Sequence, residues 1–306
     1  MTGNKTMKIL VTGGTGLIGF NLVSRLMADG HEVLITGHDT EQKIPGFHGK
    51  YLQPSFLGLD WDAIGKVDVV FHEAAINDTE LLDAREMMRA NVDSSLALFE
   101  YAAKNGCRKV VYASSTAVYG GEPAPYREGA TPLKPLNPYG ESKKILEEKA
   151  TAFAKAHPEI VIVGLRYCNV YGSGESHKGK RASMVYQLAR QMKTRNPRLF
   201  THGEQKRDYI YIKDAVKANL LAIKVNESCI VNCGSGKATT FNKLVQILNK
   251  VMNTNRVPEY FDNPIADRYQ SYTECDMSLA KAKIGFAPEY DIEKGIADYM
   301  KSGIPA

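Results

Sequence analysis

The sequence predicts an α/β fold: a doubly wound parallel sheet with a smaller C-terminal lobe. Three observations carry that prediction. Strand-like and helix-like hydrophobic patterns alternate through the first half of the chain. A glycine-rich turn, Val11-Thr12-Gly13-Gly14-Thr15-Gly16-Leu17-Ile18-Gly19, links an apolar run to a helical pattern. A length of 306 residues with 43% hydrophobic side chains suffices for one large core or two intimate ones.

The elements follow in order. Met7–Val11 reads as a short buried strand, and Leu17, Ile18, Leu22, Val23, Leu26 and Met27 recur at helical spacing behind it. His31–Thr36 is the second strand, and Val67–Phe71, Arg108–Ala113 and Glu159–Leu165 are further strands. Helix patterns run over about Asp83–Asn105 and Asn137–His157. Strands this continuously apolar are covered on both faces, as in a parallel sheet. No internal repeat or low-complexity tract is present.

Charged residues make up 24% of the chain, and the net charge of +5 is mild and dispersed. That balance suits an anionic small molecule and gives no case for nucleic acid. No apolar run reaches ~18 residues, so neither a membrane span nor a secretory signal is expected. Five cysteines, at 107, 168, 229, 233 and 275, lack CxxC spacing. They are expected to be reduced and mostly buried, in a cytoplasmic protein. Cys229 and Cys233 flank a strand without companion ligands, so core packing is expected there and no metal site.

The glycine turn has a chemical use. Glycines let the backbone approach a dinucleotide pyrophosphate, and the helix N-terminus offers unpaired N–H groups and partial positive charge. Gly13, Thr15, Gly16, Leu17, Ile18 and Gly19 are therefore expected to bind a cofactor. The second strand ends in Ile35-Thr36-Gly37-His38-Asp39, where an acidic residue would select NAD through the ribose 2′-oxygen. Gly37 leaves room for a 2′-phosphate, with His38 and Lys43 nearby, which favours NADP; NAD stays possible through Asp39. Phe71-His72-Glu73-Ala74-Ala75 closes another strand, and small Ala74 and Ala75 let the chain lie along the cofactor. His72 and Glu73 read as structural.

Tyr139-Gly140-Glu141-Ser142-Lys143 follows Asn137-Pro138, an N-cap and a proline at the first helical position. Tyr139 and Lys143 thus share a helix face, about 5–6 Å apart at Cβ. A neighbouring ammonium and the helix N-terminus are expected to draw the phenol from its usual ~10 toward neutrality. The hydroxyls of Ala113-Ser114-Ser115-Thr116 would emerge at the carboxyl edge of the sheet, where open α/β folds bind ligands.

The Gly-x-x-Gly-x-x-Gly spacing, the serine pair and Tyr-x-x-x-Lys together resemble the extended branch of the short-chain dehydrogenase/reductase superfamily. That resemblance covers nearly the whole chain and implies a Rossmann-type fold. It implies Ser115, Tyr139 and Lys143 as the catalytic triad, Lys143 also binding the nicotinamide ribose, with Ser114 the lesser candidate.

The second half resembles nucleotide-sugar epimerases and dehydratases. The matching runs are Leu165-Arg166-Tyr167-Cys168-Asn169-Val170-Tyr171-Gly172, Lys206-Arg207-Asp208-Tyr209 and Asn232-Cys233-Gly234-Ser235-Gly236. The resemblance implies that Asn169 and Arg207 contact a nucleotide-diphosphate sugar, the guanidinium pairing with the diphosphate, while Val170 lies against the cofactor. Tyr119-Gly120-Gly121, Glu175-Ser176-His177-Lys178-Gly179 and Asp267-Arg268-Tyr269-Gln270-Ser271-Tyr272-Thr273 are similar to the ADP-L-glycero-D-manno-heptose 6-epimerase family. Carried over, Lys178 is a second acid/base opposite Tyr139, and Tyr269, like Ser115, contacts substrate. The chain departs from that family at Lys180, at Gln187 and at Phe200-Thr201-His202-Gly203.

These readings predict an epimerase that oxidises a sugar carbon transiently and reduces it again, inverting C6 of an ADP-heptose. The alternatives are a UDP-hexose 4-epimerase and a non-catalytic dinucleotide-binding sensor. A dinucleotide-binding domain of residues 1–166 plus about 205–228 is expected. About 167–204 plus 229–306 would form an interleaved substrate-binding lobe. The apolar faces of the 83–105 and 137–157 helices either pack on the sheet or offer a helix-bundle interface of the kind related enzymes use, and the resemblance implies a homo-oligomer.

Overall fold

The computed structural model describes residues 6–38, 43–53, 58–77, 83–264 and 269–302. The chain first lays down β1 (Lys8–Thr12), α1 (Leu17–Ala28), β2 (Glu32–Thr36), β3 (Lys50–Gln53), the single turn α2 (Trp61–Ile64) and β4 (Val69–His72). Next come α3 (Ala84–Met88), α4 (Ser94–Lys104), β5 (Lys109–Ser115), α5 (Pro138–Ala156) and β6 (Val161–Tyr167). The second half holds β7 (Asn169–Tyr171), α6 (Met184–Thr194), β8 (Arg198–Phe200), β9 (Lys206–Tyr211) and α7 (Ile212–Ala222). Then follow β10 (Cys229–Cys233), β11 (Ala238–Thr240), α8 (Phe241–Met252), β12 (Glu259–Phe261), α9 (Ser278–Ile284) and α10 (Ile292–Lys301).

Seven strands form the main sheet in the order β10-β6-β5-β4-β1-β2-β3, every pair parallel. The order reverses between β1 and β4, which opens a crevice at their carboxyl ends, the place where doubly wound sheets take ligands. Two apolar layers cover the faces: Ile9, Val11, Val111 and Leu165 pack on one side, and Leu10, Val70, Val110 and Ile162 on the other. Residues adjacent along a strand therefore serve opposite cores, which explains the unbroken apolar runs.

The expected strands are present with shifted ends: Val69–His72 rather than Val67–Phe71, and Val161–Tyr167 rather than Glu159–Leu165. β10 departs more sharply from the expected division. It pairs with β6 in the main sheet, so 229–233 lie with the large sheet and not in the lobe. β9 goes the other way, joining β7 and β11 in a three-stranded sheet. Both assignments rest on pairing between segments thirty or more residues apart, which hydrophobic periodicity does not encode.

The expected helix over 83–105 is α3 and α4 joined by a π-turn at Arg89–Asp93. Among the described residues no helix is long and apolar enough to cross a membrane.

Candidate active site

The glycine turn leaves β1 at the crevice. Gly13 takes φ +69°, and a Cβ there would stand 2.8 Å from the Ala74 nitrogen; a Cβ on Gly19 would meet the Gly13 carbonyl at 2.1 Å. These two glycines let the turn, the loop after β4 and α1 close on one another. Gly16, the N-cap of α1, is different. A Cβ on it would approach only the Gly13 carbonyl, at 3.2 Å. No side chain caps the helix and no acidic residue occupies its first turn. The uncapped N–H groups and the positive end of the helix dipole fit a pyrophosphate.

Gly37 is buried, and a Cβ on it would fall 2.0 Å from Thr15 Oγ1. The glycine is therefore demanded by packing on the turn as well as by whatever sits at the ribose. His38 is exposed beside it; Asp39 lies outside the described residues, as do Asp267 and Arg268.

After β4, Ala74 and Ala75 are half-buried at the crevice. His72 is fully enclosed, with Nδ1 2.6 Å from Thr12 Oγ1 and Nε2 2.7 Å from Ser95 Oγ. Ser95 donates its hydroxyl to the Asn91 carbonyl at 2.8 Å, so it accepts from Nε2–H and leaves Nδ1 to accept from Thr12. This arrangement holds a neutral imidazole, and burial pushes its pKa down to about 3. Asn91, on the π-turn, accepts from the Ile76 nitrogen at 2.8 Å. It donates to the Ile76 carbonyl at 2.9 Å and to Ser142 Oγ at 3.0 Å. One side chain thus ties the loop after β4 to α5 beside Lys143. Sequence reasoning missed it, because a π-turn breaks the 3.6-residue period used to rank helix positions.

Tyr139 stands in the first turn of α5, where Asn137 caps Gly140 N at 2.9 Å and Pro138 starts the helix. Ser115 at the end of β5 lies near enough to the Tyr139 phenol to favour its ionised form, while its Oγ accepts from Ala117 N at 3.1 Å. Ser114, one residue earlier, points the opposite way and donates to Glu147 Oε1 at 2.6 Å. Strand alternation thereby separates the two serines into a site hydroxyl and a structural one.

The expected acidic phenol is corrected by the structure. Burial raises the Tyr139 pKa, and Ser115 opposes that only in part. Lys143 stands on the same helix face, its ammonium 5.9 Å from the ring centroid, and one of its three N–H groups donates to the Ala113 carbonyl at 2.7 Å. Desolvation lowers Lys143 itself to about 8, against the pull of Glu73 and Glu147. Glu73, read as structural from sequence, is pushed up to about 7 by burial and shares the field of Lys143, while Tyr167 donates to it at 3.2 Å.

Asn169 and Val170 lie on β7, Asn169 exposed and Val170 half-buried. Arg207 on β9 is buried with its guanidinium 4.6 Å above the Tyr269 ring, so the diphosphate candidate and the late tyrosine are brought together. Its neighbour Asp208 is an anchor. The carboxylate accepts from Ser235 N at 2.7 Å, Ser235 Oγ at 2.7 Å, Gly236 N at 3.0 Å and Cys275 N at 3.1 Å. The Asn-x-Gly-x-Gly turn wraps this carboxylate, and a Cβ on Gly234 would reach Asp208 Oδ2 at 2.6 Å.

Cys168 and Cys275, both buried, meet beside it with sulfurs 2.8 Å apart. Those two thiols and Asp208 are the one group among the described residues close enough to share a metal ion, but all four donors above already fall on the Asp208 oxygens.

Lys178 belongs to a separate cluster, a 3₁₀ stretch over Ser176–Arg181 that follows Glu175. Burial lowers its pKa, Glu175 raises it and Arg181 lowers it further. Lys180 is exposed, and Gln187 donates to the Lys180 and Ala182 carbonyls at 2.9 and 2.7 Å. Of the departures from the heptose-epimerase pattern, Gln187 thus serves as a brace for this loop.

With that geometry in place, comparison with known proteins is decisive for the family. The profile of the NAD dependent epimerase/dehydratase family matches residues 9–234. The chain belongs to that family. It is 35% identical to the ADP-L-glycero-D-manno-heptose-6-epimerase of Alkalilimnicola ehrlichii over 95% of its own length and 96% of the relative's. The crystal structure of the Helicobacter pylori ADP-L-glycero-D-manno-heptose-6-epimerase superposes with a TM-score of 0.88 at 33% identity, covering 97% of this chain and 96% of that one. The UDP-glucose 4-epimerase of Thermotoga maritima, solved with UDP-glucose, superposes equally well, with a TM-score of 0.88 at 27% identity over 98% and 100% of the two chains. This family member is an NAD-dependent sugar epimerase by descent and by fold.

Proposed function

We propose that this epimerase inverts C6 of an ADP-glycero-manno-heptose, with Tyr139 and Lys178 as acid/bases on opposite faces of the carbon. The observation that carries the reading is two half-buried titratable groups on separate elements, Tyr139 on α5 and Lys178 on the loop before α6, in a chain resembling heptose 6-epimerases end to end.

The glycine turn, Ala74, Ala75, Tyr139 and Lys143 would hold the nicotinamide dinucleotide. When bound, it accepts a hydride from the sugar carbon and returns it. The chain's residues handle the rest. One base takes the hydroxyl proton as the C–H bond gives up its hydride, which leaves a carbonyl. After the carbonyl presents its other face and the hydride returns, the second acid delivers a proton to oxygen. The sugar's atoms and charge balance over the turnover, exchange with water returns the first base's proton and replaces the second's, and no net oxidant is consumed.

Arg207, stacked on Tyr269, would pair with the diphosphate, and Ser115 would donate to the reacting oxygen through the phenol's network. Gly37, exposed His38 and Lys43 favour NADP as the dinucleotide.

The test is direct. Purified protein incubated with ADP- and UDP-sugars is followed by proton NMR; a new C6 epimer of the ADP-heptose supports the assignment. Inversion of a UDP-hexose at C4 alone would replace it with the second reading, which the equal superposition of the Thermotoga enzyme keeps open.

A further inference from the structure

We infer that Glu175 is a positioning residue for Lys178, closing the loop that carries this base and supplying its counter-charge. The inference rests on the reading of Lys178 as the second acid/base.

Residues 172–183 connect β7 to α6, and Glu175 draws the two ends of this loop together. Its Oε1 accepts from the Gly172 nitrogen at 3.1 Å and from Ser183 Oγ at 3.0 Å, and its Oε2 accepts from the Ser183 nitrogen at 2.6 Å. The side chain is fully buried. Lys178 sits between the two anchors, its nitrogen donating to the Glu175 carbonyl at 3.0 Å.

Other contacts fix the loop as a body. Asn21 of α1 donates to the Ser173 carbonyl at 2.8 Å, and a Cβ on Gly174 would press on the Phe20 ring at 3.0 Å. The loop is thereby registered against the helix that starts at the dinucleotide turn. Gln187 braces its far end.

Burying a carboxylate is expensive unless it is well bonded, and here three donors meet it. The charge has a second effect: it favours the Lys178 ammonium, against the desolvation and the Arg181 guanidinium that disfavour it. The groups facing Lys178 are Glu175 and Arg181, and those facing the Glu175 carboxyl are Lys178, the Tyr299 phenol of α10 and the Tyr171 phenol of β7. An amide at 175 cannot replace the carboxylate, because its NH₂ would confront either the Ser183 or the Gly172 N–H.

The experiment uses the full-length enzyme loaded with its dinucleotide and offers each ADP-heptose epimer separately to wild type, Glu175→Gln, Glu175→Asp and Lys178→Met. In Glu175→Gln, epimerisation should fall roughly 10- to 100-fold, the scale of a misplaced catalytic group. Oxidation of one epimer, handled by Tyr139 and read as reduced-nicotinamide absorbance, should persist as in Lys178→Met. The acid limb of its residual pH profile should move to lower pH, because the counter-charge that favoured the ammonium is gone. Glu175→Asp keeps that charge and should lose rate with the limb in place; it carries the test if the amide variant does not fold.

Three results separate the possibilities. Full epimerisation by Lys178→Met overturns the second-base reading and this inference with it. An inactive Lys178→Met beside a Glu175→Gln of wild-type rate and pH profile overturns the inference alone. Loss of both oxidations together with a lowered thermal midpoint would make Glu175 merely structural, and that also overturns it.

Discussion

Replacing Glu147 by Gln is expected to cost about 3–5 kcal/mol of stability, the scale for stranding a buried charge. Glu147 on α5 and Arg166 on β6 have side chains only 3% and 7% exposed. The pair is bidentate, with Nε to Oε1 at 2.8 Å and Nη2 to Oε2 at 2.7 Å, and Ser114 donates to Oε1 at 2.6 Å. The guanidinium also donates to the Tyr119 hydroxyl at 2.6 Å, which donates in turn to Asn232 Oδ1 at 2.8 Å. An amide has a single acceptor oxygen and would set an NH₂ against a guanidinium N–H, so Arg166 would stay buried and charged without its counter-ion.

Urea unfolding of wild type and Glu147→Gln, at matched cofactor loading, measures the loss. The double variant Glu147→Leu/Arg166→Met removes both charges and should recover most of it, since an apolar pair of similar volume replaces a buried ion pair at little cost. Because β5 carries Ser115 and α5 carries Tyr139 and Lys143, the single variant should also turn over slowly. A loss below about 1 kcal/mol, the range of a surface pair, would refute the claim that this pair pins α5 to the sheet.

Other outcomes follow from the same geometry. Tyr139→Phe should reduce epimerisation about 10²–10⁴-fold, the usual contribution of a positioned acid/base, and leave dinucleotide affinity within a few-fold by calorimetry; undiminished turnover would remove the phenol from the chemistry. His72 is depressed from 6.5 to about 3 in the fold. The stability it contributes is therefore complete above pH 6.5 and is lost as pH falls toward 3, by at most about 1.4 kcal/mol per pH unit for one proton. His72→Asn should flatten that slope in urea midpoints measured across the window, and an unaltered slope would place the titration elsewhere. His38→Ala and Lys43→Ala should each weaken NADP binding about 2–5-fold, as exposed charge contacts do, and leave NAD unchanged. Tighter binding of NAD than NADP by wild type would end that assignment.

What the sequence determined by itself is local in origin. The β1–turn–α1 unit is legible because its glycines, apolar run and helical period are contiguous. Tyr139 and Lys143 share a helix face by spacing alone, with Asn137 and Pro138 marking where that helix begins. The parallel sheet follows from alternating patterns, since apolar strands covered on both faces admit few other arrangements.

Tertiary structure decided everything that depends on partners distant in the chain. Only the fold shows that β10 joins the main sheet, that Asn91 grips Ile76 and Ser142, or that Asp208 is spent on a turn and on Cys275. It also reversed the expected acidity of Tyr139. Spacing places the ammonium nearby, but burial outweighs it at the phenol. Proton affinities depend on desolvation, a property of all the surrounding atoms, and those are assembled from segments that sequence proximity does not connect.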